Sequence, residues 1–273
     1  PLASPNGIMR PVDRFGGVLD VTEYDNIEVW RGALVGGGSK VFTGVMIQPI
    51  QEYFEAVFGE TVSFDEMNEV YYPRVRQMLN LSPIPNDILE SKPFGHSRVW
   101  EQQVTSAGYT AERPDSLFNW DVVRDELEGR SKKSATAGKS DMGNSNGAKF
   151  DVTQNYLKDA KATGLINVFP NQLVKDIRQT SSGLYQVDIE KLSPSGRVID
   201  HYSIEGDYLF LAAGSIGTTE LLVKAKAKNS VAGLNDEIGL GWGTNGDSIV
   251  TRSFNPIRGL TQASPCASRI HDP

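Results

Sequence analysis

A run of glycines is the feature of this 273-residue chain that most directly indicates contact with a ligand. Gly36–Ser39 follows the aromatic and basic segment Trp30–Gly32 and precedes an apolar run that ends at Pro49. Consecutive glycines carry a high entropic cost of ordering, so a folded chain keeps them mainly where the backbone adopts positive φ or touches something. The apolar residues on both sides argue against a flexible linker. The loop therefore predicts a backbone that lies close to a flat or charged ligand.

A second segment combines an apolar run with small residues and the start of a helix. The run Tyr208–Ala213 is typical of a buried parallel strand. Gly214 and Ser215 follow, and Ser215 is expected to cap a helix from Ile216 to about Lys228. A strand, a glycine turn and a helix N-terminus together form a common site for an anionic group of a cofactor. Taken alone, the pattern is also compatible with a purely structural strand–helix turn.

Other motifs carry less chemistry. A literal G-x-G-x-x-G occurs at Gly241–Gly246, but no hydrophobic strand precedes it and Trp242 is bulky in the turn. The acidic residue expected about 20 residues further on is also missing, so these glycines are expected to serve turns. The three histidines are His96, His201 and His271, and none has a context that favours a catalytic base. No nucleophile elbow is present, so hydrolase chemistry has no support.

Composition describes an ordinary globular chain, with 39% hydrophobic and 22% charged residues. The net charge of −7 argues against nucleic acid as a partner, because binding phosphates needs a basic face. No apolar stretch approaches the length of about 20 residues that a membrane span needs. One cysteine, Cys266, excludes an internal disulfide, and no Cys/His cluster predicts a metal site. The compartment stays open, on either side of a bacterial membrane, secreted or cytoplasmic.

Periodicity and capping signals predict the helices and loops of the first half. Residues 1–29 are predicted to be extended and irregular. Helices are predicted at Ile50–Phe58, from a capping box at Ser63 to about Leu79 with a kink at Pro73, and at Ser97–Ala107, which ends before Gly108. Residues 81–96 are predicted as a loop. Residues 129–149 are predicted as a long surface loop, because they contain almost no large apolar side chain.

The second half of the sequence has a different pattern of predicted elements. A helix is expected to open at Asp151 and to close at Gly164, and a short strand is expected at Ile166–Phe169. Residues Leu173–Ile204 then alternate with period two around a Ser193–Gly196 turn, which predicts an antiparallel hairpin or meander.

The order of these segments resembles the glucose–methanol–choline family of flavin oxidoreductases. The similarity covers nearly the whole chain, keeps its order and is strongest to the bacterial, sterol-oxidising members. The segments that carry it are Trp30–Ser39, Tyr53–Glu55, Tyr72–Arg74, Lys133–Ala135, Gly143–Asn144, Val174–Gln179, Tyr208–Leu211, Gly214–Leu222 and Gly241–Gly246.

The resemblance implies an α/β fold with a β-meander, in which a partial FAD-binding Rossmann-like domain is interleaved with part of a mixed-sheet substrate domain. The implied divisions are an FAD-contacting segment with the glycine loop (1–49), a helical and loop insertion of the substrate domain (50–149), a nucleotide-domain portion with the meander and a strand–helix unit (150–246), and the start of the substrate-domain sheet (247–273). The family's N-terminal phosphate loop and its catalytic His and Asn are not found, so we expect an internal portion of a longer enzyme that holds no catalytic residue.

The resemblance also implies FAD as the cofactor. The residues expected to contact it are Gly37, Gly38, Ser39, Phe42, Thr43, Gly44, Val45, Val174, Ala213 and Gly214. The backbone of Val174 would contact the adenine, although an ordinary strand valine explains this position equally well. Phe42 departs from the family, which usually has Asn or sometimes His there. That departure predicts a missing side-chain hydrogen bond near the flavin, with altered oxygen reactivity or lost activity.

The implied activity is FAD-dependent oxidation of a secondary alcohol with oxygen as acceptor. The substrate would be a small-molecule alcohol, a 3β-hydroxysterol such as cholesterol, and the intact enzyme would contact a membrane surface transiently. Two alternatives stay open. One is another alcohol oxidoreductase of the same family, acting on sugars, choline or aryl alcohols. The other is a non-catalytic product without bound FAD.

Overall fold

The computed structural model describes residues 18–244, 246 and 262–270 of the chain. These residues form two compact units: a helical unit, residues 18–168 and 262–270, and a sheet unit, residues 169–244 and 246. The elements are mixed α and β, and both sheets are antiparallel. The predicted α/β class is therefore confirmed at this level, while the Rossmann-like arrangement and the four-part division stay predictions. Among the described residues, no helix is long and apolar enough to cross a membrane.

Helices dominate the first part of the described chain, and strands dominate the second. The strands are β1 (Leu19–Tyr24), β2 (Ile27–Gly32), β3 (Gln172–Gln179), β4 (Tyr185–Leu192) and β5 (Val198–Gly206). The helices are α1 (Gln51–Phe58), α2 (Phe64–Glu66), α3 (Tyr72–Met78), α4 (Asn86–Leu89), α5 (Gly95–Ser106), α6 (Trp120–Leu127), α7 (Tyr156–Ala162) and α8 (Gly214–Ala227). Short 3₁₀ turns lie at Gly37–Lys40, Lys92–Phe94, Ala135–Ala137 and Ser140–Met142, and a π-helical turn spans Met67–Tyr71.

β1 and β2 form an antiparallel hairpin just before the glycine run. Leu19 pairs with Gly32 and Tyr24 pairs with Ile27, so only two residues connect the strands. The prediction of irregular chain was therefore wrong for residues 18–29, and residues 1–17 lie outside the described chain. The pairing between the two strands supplies the order that no strong local signal predicted.

The helix predicted to start at Ser63 is present in three consecutive parts, α2, the π-helical turn and α3. Ser63 Oγ accepts a hydrogen bond from the backbone N–H of Glu66 at 3.2 Å, as the capping box predicts. Pro73 cannot donate to the carbonyl one turn earlier and would clash with it. The wider π-helical turn ends at Tyr71, two residues before Pro73, close to where a kink was expected.

The core of the helical unit is built by α4–α6 and the chain that follows them. Ile88, Phe94, Phe118 and Val123 are almost completely buried in one cluster, together with Ala148. This arrangement corrects the predicted loop over residues 81–96, which contains α4, a 3₁₀ turn and the first residues of α5. The predicted helix ending before Gly108 is confirmed as α5.

Helix α6 was not predicted, although the sequence carries signals for it. The Asn119 side chain accepts hydrogen bonds from the backbone N–H groups of Asp121 and Val122 at the start of the helix. Trp120, Val123 and Leu127 follow at helical spacing. An N-cap asparagine before apolar residues at this spacing is a recognisable helix start.

Segment 129–149 is not the surface loop that its composition predicted. Its buried residues are Ser134, Ala135, Thr136, Ser140, Ala148 and Lys149. The carboxylate of Glu126, itself fully buried, accepts hydrogen bonds from the backbone N–H groups of Ala135 at 3.0 Å and Thr136 at 2.8 Å. A polar segment can enter a core when its backbone donors are satisfied in this way. The prediction was wrong because composition does not reveal such a partner from another element.

The sheet unit contains the predicted meander. Strands β3, β4 and β5 pair antiparallel in that order, and the turn between β4 and β5 contains Gly196 at φ +79°. Ile177 of β3 is buried against Leu221 and Ala225 of α8, so the helix covers one face of the sheet. The predicted strand at residues 166–169 is absent from the structure.

The run Tyr208–Ala213 is not a strand, so this prediction was wrong. Among the described residues no strand pairs with it, and a buried parallel strand needs neighbours on both sides. Leu209 and Leu211 pack against the core cluster of the sheet unit. Tyr208 and Phe210 are instead 84% and 90% exposed.

The starts of two helices differ from their predictions. Helix α8 begins at Gly214 with Ala213 as its N-cap, rather than with Ser215 as the cap. The hydroxyl of Thr218 accepts from the backbone N–H of Ala213 at 3.0 Å, which satisfies a donor at the start of the helix without Ser215. Helix α7 begins at Tyr156, five residues after the predicted start at Asp151.

Candidate functional site

The glycine loop, residues 36–45, adopts a backbone that favours glycine at three points. Gly36, Gly37 and Gly44 have φ values of +102°, +52° and +84°. Residues with a Cβ adopt these conformations only at an energetic cost, so the residue type follows from the backbone. Gly37–Lys40 forms a single 3₁₀ turn near the start of the loop.

Packing also explains two of the glycines, because neighbouring side chains leave no room for a Cβ. A Cβ on Gly36 would lie 2.9 Å from Cγ2 of Thr153, and a Cβ on Gly44 would lie 2.6 Å from Cε2 of Phe118. The backbone N–H of Leu117 donates to the carbonyl of Gly44 at 2.8 Å. The C-terminal end of the loop, at Gly44, therefore packs closely against Leu117 and Phe118.

Gly38 is different, because neither its backbone nor its packing explains the glycine. It does not have a positive φ, and a Cβ built on it would meet no atom within 4 Å. The same open space lies over Gly37. A glycine that the surrounding chain does not require fits a backbone that a flat or anionic group approaches closely. The open face of Gly37 and Gly38 thus fits the predicted cofactor contact.

The opposite side of the loop is held by the segment that follows residue 143. Ser39 Oγ donates to the carbonyl of Gly36 at 2.7 Å and accepts from the backbone N–H of Val152 at 3.3 Å. Lys40 Nζ pairs with Asp151 Oδ2 at 3.0 Å, and the carboxylate of Asp151 is almost fully buried. Ser39 therefore serves the loop's own geometry, in addition to any contact with a ligand.

Lys149 forms the centre of this support. Its side chain is fully buried, and its Nζ donates to the carbonyls of Lys40 at 2.7 Å and Phe42 at 2.8 Å. The same Nζ lies 5.6 Å from the centre of the Phe42 ring. An ammonium at this distance from an aromatic face is attracted to it. Phe42 is therefore engaged through both its backbone and its side chain.

Burial and charge act against each other at this point. Burial lowers the pKa of Lys149 to about 8, and the neighbouring carboxylates of Asp141 and Asp151 oppose that shift. Burial raises the pKa of Asp151, but hydrogen bonds from Thr153 and Lys40 outweigh it and leave the pKa below its usual range. Asp151 is thus held as an anion beside the loop, while Lys149 is protonated at neutral pH.

The structure brings seven of the predicted residues into this single loop: Gly37, Gly38, Ser39, Phe42, Thr43, Gly44 and Val45. Thr43 is exposed, and Gly44 is buried. Val45 forms an isolated antiparallel bridge with Ser116. The contact of each residue with FAD stays a prediction.

The other three predicted residues lie in the sheet unit. Val174 lies on β3, an edge strand of the meander, next to an irregularity in the register at 174–176. Its side chain packs against the core cluster, which agrees with an ordinary strand valine. Ala213 and Gly214 are exposed at the N-terminus of α8, and Gly214 has φ +75° with open space around its missing Cβ. A helix start with this geometry favours an anionic group.

A cavity of about 550 Å³ lies elsewhere in the helical unit, between α3 and the start of α7. Arg74, Met78, Phe150 and Lys158 are among the residues that line it. None of the ten predicted cofactor residues does so. The candidate site is therefore an open loop surface and not this cavity.

Lys149, Asp151 and Asn144 belong to the site although they were not predicted from the sequence. Asn144 donates to the carbonyl of Lys149 at 2.6 Å, accepts from its backbone N–H at 3.1 Å and also donates to Asp151. The asparagine was noticed only as part of the family pattern, and a lysine between Ala148 and Phe150 carries no local sign of burial. Only the long-range contact with residues 40–42 reveals their role.

A family model described as GMC oxidoreductase matches residues 14–241 of the chain. Two curated proteins named cholesterol oxidase, from two strains of Mycobacterium tuberculosis, are each 26% identical to it. The match covers 93% of this chain and 46% of each relative, so the chain spans about half the length of the curated relatives it matches.

Proposed function

The chain belongs to the GMC oxidoreductase family, and we propose on that basis that the protein of which it forms a part is an FAD-dependent alcohol oxidoreductase. The observation that carries this proposal is the open backbone face at Gly37 and Gly38. The fold itself does not require a glycine at position 38. That face lies within the residues that the family model matches. The buried support of Lys149 and Asp151 fixes it from the opposite side.

The residues proposed to hold FAD act mainly through their backbone. Gly37, Gly38 and Ser39 would present their main chain to it, followed by residues 42–45 along the same loop. Ala213 and Gly214 would let the cofactor approach the backbone at the start of α8, an end of a helix that favours a phosphate. FAD, when bound, supplies an acceptor for a hydride from the alcohol carbon, with oxygen as the final acceptor. The described residues orient the cofactor and do not supply the base that takes the hydroxyl proton.

The proposed substrate is a 3β-hydroxysterol such as cholesterol. The support is the name of the two relatives, cholesterol oxidase, which are 26% identical to this chain. An apolar substrate of this kind is drawn from a membrane, so we also propose transient contact of the intact enzyme with a membrane surface. Substrate choice depends on the shape of the pocket, so other alcohols are the necessary comparison.

The test uses the full-length protein that contains this chain. After gel filtration, absorbance in the flavin bands measures bound FAD, and peroxide release measures turnover with cholesterol, choline, glucose and benzyl alcohol. We expect stoichiometric flavin and the highest kcat/KM with cholesterol. Bound flavin with a preference for another alcohol would overturn the sterol assignment alone. A colourless protein that cannot be reconstituted with FAD would overturn the oxidoreductase proposal.

Phe42 favours a second candidate function, a family member that binds no FAD and has no catalytic activity. It places an apolar ring where the family usually has Asn or His, and its carbonyl is already occupied by Lys149. A Phe42→Asn variant separates the two candidates. Under the first, the variant keeps its flavin and changes the rate of reoxidation by oxygen. Under the second, both the parent protein and the variant are colourless.

A further inference from the structure

We propose that Lys149 is a positioning residue, whose buried ammonium holds the glycine loop in the shape that receives the cofactor. The part of this inference that concerns FAD rests on the function proposed above. The part that concerns the loop rests on the contacts of this chain alone. Lys149 is fully buried and donates to two carbonyls of the loop, those of Lys40 and Phe42, at 2.7 and 2.8 Å.

The chemistry of a lysine suits this task. An ammonium has three N–H donors and no acceptor, so one side chain can satisfy two carbonyls that point to the same place. A lysine is almost never fully buried unless it is paired, because removing its charge from water is costly. The two carbonyls belong to residues with only Val41 between them. A buried cation at this point therefore fixes the path of the chain from residue 40 to residue 42.

The Lys149 side chain acts as a tether for the loop, and the backbone from which it projects is itself held in place. The backbone N–H of Lys149 donates to Asn144 Oδ1 at 3.1 Å, and its carbonyl accepts from Gln154 Nε2 at 2.5 Å. Lys149 also forms an antiparallel bridge with Phe118, a fully buried core residue. The ammonium thus projects from a fixed main chain, and its position determines the position of the two loop carbonyls that it binds.

The loop has a second, independent anchor at its other end. The carbonyl of Gly44 accepts from the backbone N–H of Leu117 at 2.8 Å, and Val45 bridges to Ser116. Only Thr43 separates the residue that Lys149 holds from the residue that Leu117 holds. Loss of the tether is therefore expected to release residues 40–43 while Gly44 stays in place.

The charges that face the ammonium balance within the same cluster. Asp141 and Asp151 favour the charged form of Lys149, and the ammonium of Lys40 disfavours it. Lys40 in turn pairs with Asp151. Two cations and two carboxylates therefore meet beneath the loop. Removal of the Lys149 charge leaves a net negative cluster beneath the loop that is proposed to contact an anionic cofactor, which weakens binding further.

The first experiment tests the tether without reference to FAD. Amide hydrogen exchange, followed by mass spectrometry, is compared for the full-length protein, for Lys149→Met and for Lys149→Arg, each stripped of flavin. Lys149→Met keeps the length of the side chain but has no donor, so we expect the peptide covering residues 40–46 to exchange about tenfold faster or more. A peptide from β4 serves as the internal reference. Equal exchange in the parent protein and Lys149→Met would overturn the proposal.

The second experiment tests the consequence for the cofactor. The dissociation constant for FAD and the visible circular dichroism of bound flavin are measured for the same proteins. We expect Lys149→Met to weaken FAD binding about tenfold or more and to alter the flavin spectrum, and Lys149→Arg, which keeps donors and charge, to recover part of both. Lys161→Met, on the exposed surface of α7, is the matched control and should change neither.

The outcomes separate the two proposals. If the parent protein cannot bind FAD, the proposed function fails, while the exchange data still decide whether Lys149 holds the loop. If FAD binds and Lys149→Met exchanges faster in the loop with unchanged affinity and spectrum, the positioning role toward the cofactor is wrong. If Lys149→Met does not fold, Lys149→Arg carries the test. Lys149→Arg keeps the donors and the charge. If this variant folds but has lost both the protection of the loop from exchange and the affinity for FAD, that result would also contradict the proposal.

Discussion

The glycine loop, residues 36–45, and the run Tyr208–Ala213 have a similar sequence pattern but different structural surroundings. Both place apolar residues beside glycines, and both were predicted to approach the same cofactor. In the structure the loop is anchored by a buried ammonium and a buried carboxylate from residues more than a hundred positions away in sequence. The run Tyr208–Ala213 has no paired strand among the described residues, and its alternate side chains are exposed.

The difference shows what each motif needs from the rest of the chain. An irregular loop can be fixed by a few directed hydrogen bonds, because each buried carbonyl needs only one donor. A parallel strand needs a continuous neighbour along its whole length, since every second backbone group points to each side. The loop found its donors within the helical unit. The run Tyr208–Ala213 has no strand partner within the described part of the sheet unit.

The largest expected effect concerns the packed end of the loop. In Gly44→Ala the new methyl group would meet the ring of Phe118 at 2.6 Å, at a φ of +84°. Phe118 is fully buried and cannot move aside cheaply. We expect the free energy of unfolding to fall by about 4 kcal/mol, from overpacking and backbone strain together. Urea unfolding of the full-length protein measures it.

Gly38→Ala is the matched control for that prediction. Its methyl group meets nothing within 4 Å, and the backbone has no positive φ. We expect the stability to change by less than about 0.5 kcal/mol, while FAD binding weakens. If Gly38→Ala destabilised the protein as much as Gly44→Ala, the glycine would have a structural reason and the open face would lose its significance.

The next prediction tests whether the buried carboxylate of Glu126 organises segment 129–149. The buried carboxylate of Glu126 accepts from the backbone N–H groups of Ala135 and Thr136, from the Thr136 hydroxyl and from Asn146. In Glu126→Gln one acceptor oxygen becomes a donor that faces other donors. We expect a loss of about 3 kcal/mol in the free energy of unfolding and new proteolytic cuts between residues 129 and 146.

Glu128→Gln is the control, since Glu128 is exposed two residues further along the chain. We expect it to change stability by less than about 0.5 kcal/mol and to leave the cleavage pattern unchanged. Equal effects of the two substitutions would mean that the buried carboxylate does not organise the segment.

The fold divides into parts that local sequence rules could predict and parts that they could not. Local rules identified the Ser63 cap, the helix that ends before Gly108 and the period-two meander, because each depends on neighbours in sequence. The burial of segment 129–149 and the exposure of Phe210 depend on partners far along the chain, or on the lack of them. Composition in the first case, and a local apolar run in the second, therefore gave the wrong prediction.

The site shows the same division. The glycine loop was recognisable because its residue types are locally unusual. Lys149 was not, because an exposed and a buried lysine look identical in a sequence without its contacts. Its neighbours Ala148 and Phe150 offered only a weak indication, and the satisfied carbonyls lie more than a hundred residues earlier.

A smaller effect is expected from the titration of Lys149, whose native pKa is lowered to about 8, chiefly by burial. Below pH 8 the side chain is protonated in both the folded and the unfolded protein. Above pH 8 the folded protein releases the proton while the unfolded chain keeps it up to about pH 10.4, so unfolding takes up a proton and becomes harder. We expect the stability of the parent protein, relative to Lys149→Met, to rise by about 2 kcal/mol between pH 7 and pH 9.5.

Urea unfolding at several pH values measures this difference, and Lys161→Met provides the reference for an exposed lysine. A neutral amine still carries two N–H donors, so the tether itself should persist through the titration. A stability difference that stays flat, or that falls with rising pH, would show that Lys149 is not buried as an ammonium.

The smallest effect is expected at the exposed side of the run Tyr208–Ala213, and it tests the comparison most directly. Phe210 is 90% exposed, so Phe210→Ser removes little buried surface and should change the free energy of unfolding by less than about 0.5 kcal/mol. Leu211 packs against the core cluster beside it, so Leu211→Ser should cost about 2 kcal/mol. The measurement is urea unfolding of the full-length protein, with both variants made in parallel. If Phe210→Ser costs as much as Leu211→Ser, both faces of the run are buried in the complete protein. The run would then be the two-sided strand that its sequence predicts, and its contrast with the glycine loop would disappear, because both motifs would have found their partners.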